Sequence, residues 1–102
     1  MVSQTHTGLR MAEALSKQAF DFAVARWQKG SALDEGQLEQ VRQLQVQLRQ
    51  LAEQLRHEQP KLDASVSDTI SEGLLDLKYA LTAPLATSLR LHHYIDSQTK
   101  AS

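Results

Sequence analysis

The stretch 34–59, DEGQLEQVRQLQVQLRQLAEQLRHEQ, organises the chain because it carries one narrow apolar seam on a polar background. The seam residues recur every three or four positions, the spacing of one helix face: Val41, Leu44, Leu48, Leu51 and Leu55. Asp34 and Gln37 have the spacing of a capping box at its start, and Pro60 follows its end. We therefore predict a helix over about 35–58 that packs inward and turns a glutamine-rich face to solvent.

The composition favours helices over the rest of the chain as well. The 102 residues include only 4 Gly and 2 Pro, and good helix formers such as Leu, Gln and Ala are abundant. A chain of this length forms one domain at most, and it depends on an unusually good helical core or on oligomerisation. The absence of cysteine excludes disulfides and thiolate metal sites.

The segment before the seam predicts a helix with two apolar faces. Thr7 is its predicted N-cap, the helix runs to about Lys29, and Gly30 ends it in the left-handed conformation. One face contains Met11, Leu15, Ala19 and Phe22, and the other contains Leu9, Phe20, Ala23 and Trp27. Two interpretations are open: the chain wraps around this helix, or one face contacts a second subunit or a partner.

The segment after Pro60 predicts a third helix, and Gly73 in the middle of its apolar stripe indicates close approach by another helix. The apolar phase is the same on both sides of Pro84, so we expect one long helix that is kinked there and ends near Asp96. The alternative is a new helix that Thr82 caps, with the proline in its first turn. A second apolar set lies opposite the stripe: Leu75, Tyr79 and Ala86.

These segments predict an all-α fold, in which a helical hairpin and a long C-terminal helix form a three- to four-helix bundle completed by homodimerisation. Residues 7–96 are the predicted helical domain, and 1–6 and 97–102 are predicted flexible termini. We place the dimer or partner interface on the second faces of the first and third helices: Phe20, Trp27, Leu75, Tyr79 and Ala86. Aromatic residues are enriched in interface hot spots, although they are equally typical of cores.

Motifs that carry chemistry are missing from the sequence. His92, His93 and Asp96 are the only cluster resembling a ligand set, and two ligands on one helix do not close a metal site. Histidine near a helix C-terminus is also favourable by itself. There is no nucleophile elbow and no Gly-rich phosphate loop. We expect no catalytic residues, cofactor, metal or small-molecule substrate, and no enzyme activity.

Three arginines recur every seven residues along the second helix and form the arginine line: Arg42, Arg49 and Arg56. The simplest interpretation is a solvated face partly paired with Glu39 and Glu53, and the alternative is a binding line for an acidic partner. A net charge of −1 disfavours nucleic-acid binding.

The cellular setting and the function are predicted only as classes. No apolar run is long enough to span a membrane and no secretory signal is recognisable, so we expect a cytoplasmic protein. We expect a non-catalytic interaction module that inhibits or sequesters a larger protein, most concretely an antiactivator of a transcription factor. The alternatives are a secretion or assembly chaperone for a helical partner, and a nucleic-acid-associated protein that uses the arginine line.

Overall fold

The computed structural model describes residues 4–58, 64–82 and 87–101, and within these ranges it contains four helices and no strand. Helix α1 spans Gln4–Lys29, α2 spans Glu35–Glu58, α3 spans Ala64–Thr82 and α4 spans Leu89–Ala101. The helices pack together, with principal extents of 47 × 30 × 21 Å. The predicted all-α helical bundle is therefore confirmed, and dimerisation stays a prediction.

The connection between α1 and α2 is built from the two local signals found in the sequence. Gly30 has a φ of 74°, and its amide donates to the carbonyl of Arg26 at 3.0 Å, as in a helix C-cap. Asp34 and Gln37 form a reciprocal capping box, in which the Gln37 amide donates to Asp34 Oδ1 at 2.8 Å. The Asp34 amide in turn donates to Gln37 Oε1 at 3.2 Å. Both predictions of helix ends are thus confirmed.

The core lies where α1 crosses α3, and small side chains let the two helices approach closely. The α1 residues at this crossing form one fully buried line: Ala12, Ser16, Ala19 and Ala23. On α3, a Cβ added to Gly73 would lie 3.2 Å from Cα of Ser16 and 3.0 Å from Cδ1 of Leu48. The prediction that another helix approaches Gly73 is confirmed, because only a hydrogen fits that space without a shift of its neighbours.

The α2 seam closes the core from the other side. All five of its residues are buried, and they join Leu33 in one cluster with Val66, Ile70 and Leu77 of α3. The seam is thus an inward-facing stripe, as its narrow width predicts. Each buried Leu or Val contributes about 1.5–3 kcal/mol relative to an exposed position.

The two apolar faces of α1 are flanks of one broad buried surface. At 100° per residue, the buried line of small residues falls between them. Leu15 and Phe22 on one flank and Leu9 on the other pack against the core cluster, while the aromatic residues of the second flank contact α4. Met11 at the outer edge of the first face is 50% exposed. The interpretation in which the chain wraps around α1 therefore accounts for both flanks.

Three predicted helix boundaries differ from the structure. Helix α1 begins at Gln4, so Thr7 lies inside the helix and is not its N-cap. Residues 87 and 88 are non-helical, so α3 and α4 are two helices and not one long helix. The last helix continues to Ala101 instead of ending near Asp96. Pro84 and the predicted kink lie outside the described residues.

Ser88 is the residue that starts α4. Its side-chain Oγ accepts a hydrogen bond from the Leu91 amide at 3.1 Å, and its carbonyl accepts from the His92 amide at 3.0 Å. This is the arrangement of an N-cap serine. The apolar periodicity across Pro84 therefore does not reflect one continuous helix.

Candidate functional site

Helix α4 covers the flank of α1 that contains Phe20 and Trp27. The ring of Tyr94 lies 5.6 Å from the Phe20 ring and 5.9 Å from the Trp27 ring, centroid to centroid, both edge to face. Such pairs are favourable beyond the area that they bury. We call these three residues the aromatic cluster. Two of the five predicted interface residues thus contact their own chain, and their use in a dimer stays a prediction.

The remaining predicted interface residues are not gathered into one site by the structure. Leu75 is 37% exposed on the outer side of α3, and Tyr79 is half-buried one turn further along the same helix. Ala86 lies outside the described residues. The second face of α3 therefore offers two apolar side chains to solvent or to a partner.

A partly buried ion pair joins α4 to the place where α1 packs against α3. Nε of Arg90 donates to Oδ2 of Asp76 at 3.0 Å, and Nη2 lies 2.9 Å from the same oxygen. Nη2 also donates to Oγ and to the carbonyl oxygen of Ser16, at 2.6 and 2.7 Å. We call these three residues the arginine clamp. It joins α1, α3 and α4 through one side chain.

The surroundings of the clamp strengthen it further. The Arg90 guanidinium lies 5.2 Å from the centroid of the Phe20 ring, a cation–π distance, and Nε is 3.6 Å from Oε2 of Glu72. The Asp76 side chain is 0% exposed, and its Oδ1 has no hydrogen-bond partner in the described part of the chain. Loss of Arg90 would leave the fully buried Asp76 carboxylate uncompensated, which costs about 3–5 kcal/mol. The clamp therefore serves to hold the bundle together.

The contacts of the arginine clamp were not predicted from the sequence. Asp76 and Arg90 are 14 residues apart, and Ser16 is 74 residues from Arg90. No periodicity links positions at those separations. The one local signal is Ser16 itself, which interrupts a line of alanines on α1 and thereby marks a buried polar position.

The arginine line of α2 is not uniform. Arg42 lies 3.7 Å from Glu39 in an exposed pair, whereas Arg49 and Arg56 have no ion pair with any described residue. These two arginines border an open groove of about 370 Å³ between α2 and α3. The other residues that line it are Ala52, Glu53, Ser67, Ile70, Ser71 and Leu74. We call it the α2–α3 groove.

A second open groove lies on the opposite side of α2, against α1. It measures about 390 Å³, and its apolar residues are Met11, Ala14, Leu15 and Leu51. Three glutamines complete the lining: Gln47, Gln50 and Gln54. We call it the α1–α2 groove. Helix α2 thus has an open groove with an apolar floor along each flank.

His92, His93 and Asp96 lie on the surface near the start of α4, so the interpretation of these histidines as residues near a helix C-terminus is wrong. Nε2 of His92 lies 3.3 Å from Oδ2 of Asp96, one turn along α4, and both side chains are exposed. The rings of His92 and His93 are 6.3 Å apart, edge to face. In the ranges that the structure covers, no group of three His, Cys, Asp or Glu residues could hold a metal ion.

Comparison with protein-family models, with curated proteins and with solved structures finds no match for this chain. Among the described helices, none is both long enough and apolar enough to cross a membrane. The geometry of the clamp and of the two grooves is therefore the basis for a functional proposal.

Proposed function

We propose that this protein is a non-catalytic interaction module that regulates a larger protein by binding one of its helices along α2. The observation that carries the proposal is the pair of grooves on the two flanks of α2. Each combines an apolar floor with polar walls, which is the layout used when an amphipathic helix docks in a groove.

The buried polar side chains support a structural role for the interior. Ser16 and Asp76 bind Arg90, and Ser88 caps α4, so each of these fully buried groups holds helices in place. The exterior then carries the function. In the α1–α2 groove, an exposed methionine and three glutamines are adaptable side chains that suit a helical partner. An antiactivator that sequesters a transcription factor is the concrete form of the proposal.

Capture from native lysate with matched variants tests the proposal. Ala14→Glu places a charge in the α1–α2 groove, while Gln40→Glu places the same charge on an exposed part of α2 outside both grooves. We expect wild type and the Gln40→Glu variant to retain the same partner, and the Ala14→Glu variant to lose it. Circular dichroism confirms that both variants are folded. Identical protein profiles from all three would contradict a role for this groove.

The homodimer is a separate part of the proposal and rests on the exposed apolar residues of α3. Leu75→Glu adds a charge to that surface without touching the core cluster. We expect light scattering to give a dimer for wild type and a monomer for the variant. A wild-type protein that stays monomeric from low to high micromolar concentration would remove dimerisation from the proposal and leave the α2 grooves unaffected.

A further inference from the structure

Two arginines on one side of the α2–α3 groove have no anionic partner among the described residues. Arg49 and Arg56 are seven residues apart, so they lie about two helical turns, or roughly 10 Å, from each other along the same side of α2. Arg42, one further repeat away, is paired with Glu39 and borders a different part of α2. Of the three arginines in the line, Arg42 therefore has an ion pair, and Arg49 and Arg56 can bind an anionic group of a partner.

The floor of the groove between those arginines is apolar. Ala52 and Ile70 are buried, and Leu74 packs partly against the core cluster, so an apolar side chain inserted there would meet a closed hydrophobic surface. Ser67 and Ser71 form the opposite wall and offer hydroxyl groups one turn apart. A ligand that fits this groove thus has an apolar side chain that contacts the floor. It also has acidic groups that face the arginines of α2.

Glu53 narrows the choice of occupant. It lines the groove between the two arginines, so the three charged side chains together carry a net charge of +1. A dense run of negative charge would meet Glu53 as well as the arginines, while two separated carboxylates would meet only the arginines.

We propose that the α2–α3 groove binds an amphipathic protein helix that carries two carboxylates about two turns apart on either side of an apolar anchor. This inference rests on the proposed function and assigns a helix to the α2–α3 groove, separately from the helix that Ala14→Glu tests in the α1–α2 groove. The charge complementarity predicts that binding weakens as salt concentration rises, because the arginines are at the surface.

A displayed library of helical peptides, each of about 16 residues so that the helix spans the groove, provides the test. After selection on the full chain, we expect enriched peptides to contain Asp or Glu pairs seven residues apart with a large apolar residue between them. Replacement of both arginines by glutamine, Arg49→Gln with Arg56→Gln, should weaken the best binder about tenfold. The matched Arg42→Gln variant should bind within about twofold of wild type, since that arginine lies outside the groove.

Each other outcome counts against the inference in a different way. Enrichment of uncharged helices that Ala14→Glu blocks and the arginine variants do not affect would overturn the inference and leave the proposed function standing. No enrichment over a display without target would remove both. A duplex DNA oligonucleotide that binds at low salt and depends on Arg49 and Arg56 would replace the protein helix with a polyanion as the ligand.

Discussion

Arg90 and the pair Arg49 and Arg56 show two uses of the same side chain on opposite sides of the bundle. Arg90 is 31% exposed, and its guanidinium contacts a carboxylate, a hydroxyl, a carbonyl and an aromatic ring of its own chain. Arg49 and Arg56 are exposed, and they border a groove without an ion pair to any described residue. The charge of Arg90 is thus paired within the chain, whereas those of Arg49 and Arg56 are available to a partner.

The residues that stabilise this small protein are thus separate from those that are available for recognition. The Arg90 guanidinium is occupied by contacts within its own chain, so it is not available to a partner. These contacts join α4 to α1 and α3. The groove arginines make no such contacts, so we expect their removal to leave the fold unchanged. Mutations on the two sides should therefore separate into effects on stability and effects on binding.

The largest effect is expected for Asp76→Ala. This change removes the fully buried carboxylate that pairs with Arg90 and leaves a cavity, so the free energy of unfolding should fall by about 3 kcal/mol. Urea denaturation followed by circular dichroism measures the loss.

A double variant distinguishes the ion pair from simple packing. Asp76→Leu combined with Arg90→Met replaces both charges by apolar side chains and should recover much of that loss, because no charge of the pair is then left buried and unpaired. A loss under about 1 kcal/mol for Asp76→Ala alone would show that the clamp contributes little to the fold.

A medium effect is expected for Tyr94→Ala, which removes the ring that joins Phe20 to Trp27. The free energy of unfolding should fall by about 2 kcal/mol, since the ring is only half-buried. Trp27 is the only tryptophan, so its fluorescence emission should shift to longer wavelength as the indole ring becomes more exposed to water. Tyr94→Phe keeps the ring and is the matched control; an equal shift in both variants would argue against edge-to-face packing.

A smaller effect is expected for Ser88→Ala at the start of α4. The Leu91 amide loses its side-chain acceptor, which lowers the free energy of unfolding by about 1–2 kcal/mol. Hydrogen exchange should report the change in α4 first, because this helix makes the fewest contacts with the rest of the bundle. Ser88→Asp restores a cap acceptor and should recover part of the protection from exchange. No recovery would show that the cap contributes little to the stability of α4.

The sequence predicted those parts of the fold that depend on neighbouring residues. The capping box at Asp34, the left-handed Gly30 and the inward seam of α2 all follow from patterns within a few residues. Gly73 belongs with them, because a glycine inside an apolar helix stripe costs stability unless a neighbouring helix needs the space. Each of these patterns can be interpreted from neighbouring residues alone, because its physical cause lies within a few positions of the chain.

The candidate sites could be predicted only in part, because they depend on pairs of residues far apart in the chain. The arginine line was visible, but its division into a paired Arg42 and two groove arginines depends on where α3 lies. The clamp was invisible, since the sequence does not say which charged residue meets Asp76. The two faces of α1 were visible, but their division between core and interface required the position of α4.

The division between a stabilising arginine and two binding arginines is tested most directly by replacing arginine with glutamine at each place. Urea unfolding of Arg90→Gln is measured beside that of the double variant Arg49→Gln with Arg56→Gln. We expect the first to lose about 3 kcal/mol, because Asp76 is left buried and uncompensated, and the second to stay within about 0.5 kcal/mol of wild type. Equal losses in the two proteins would contradict the division between a stabilising arginine and two binding arginines.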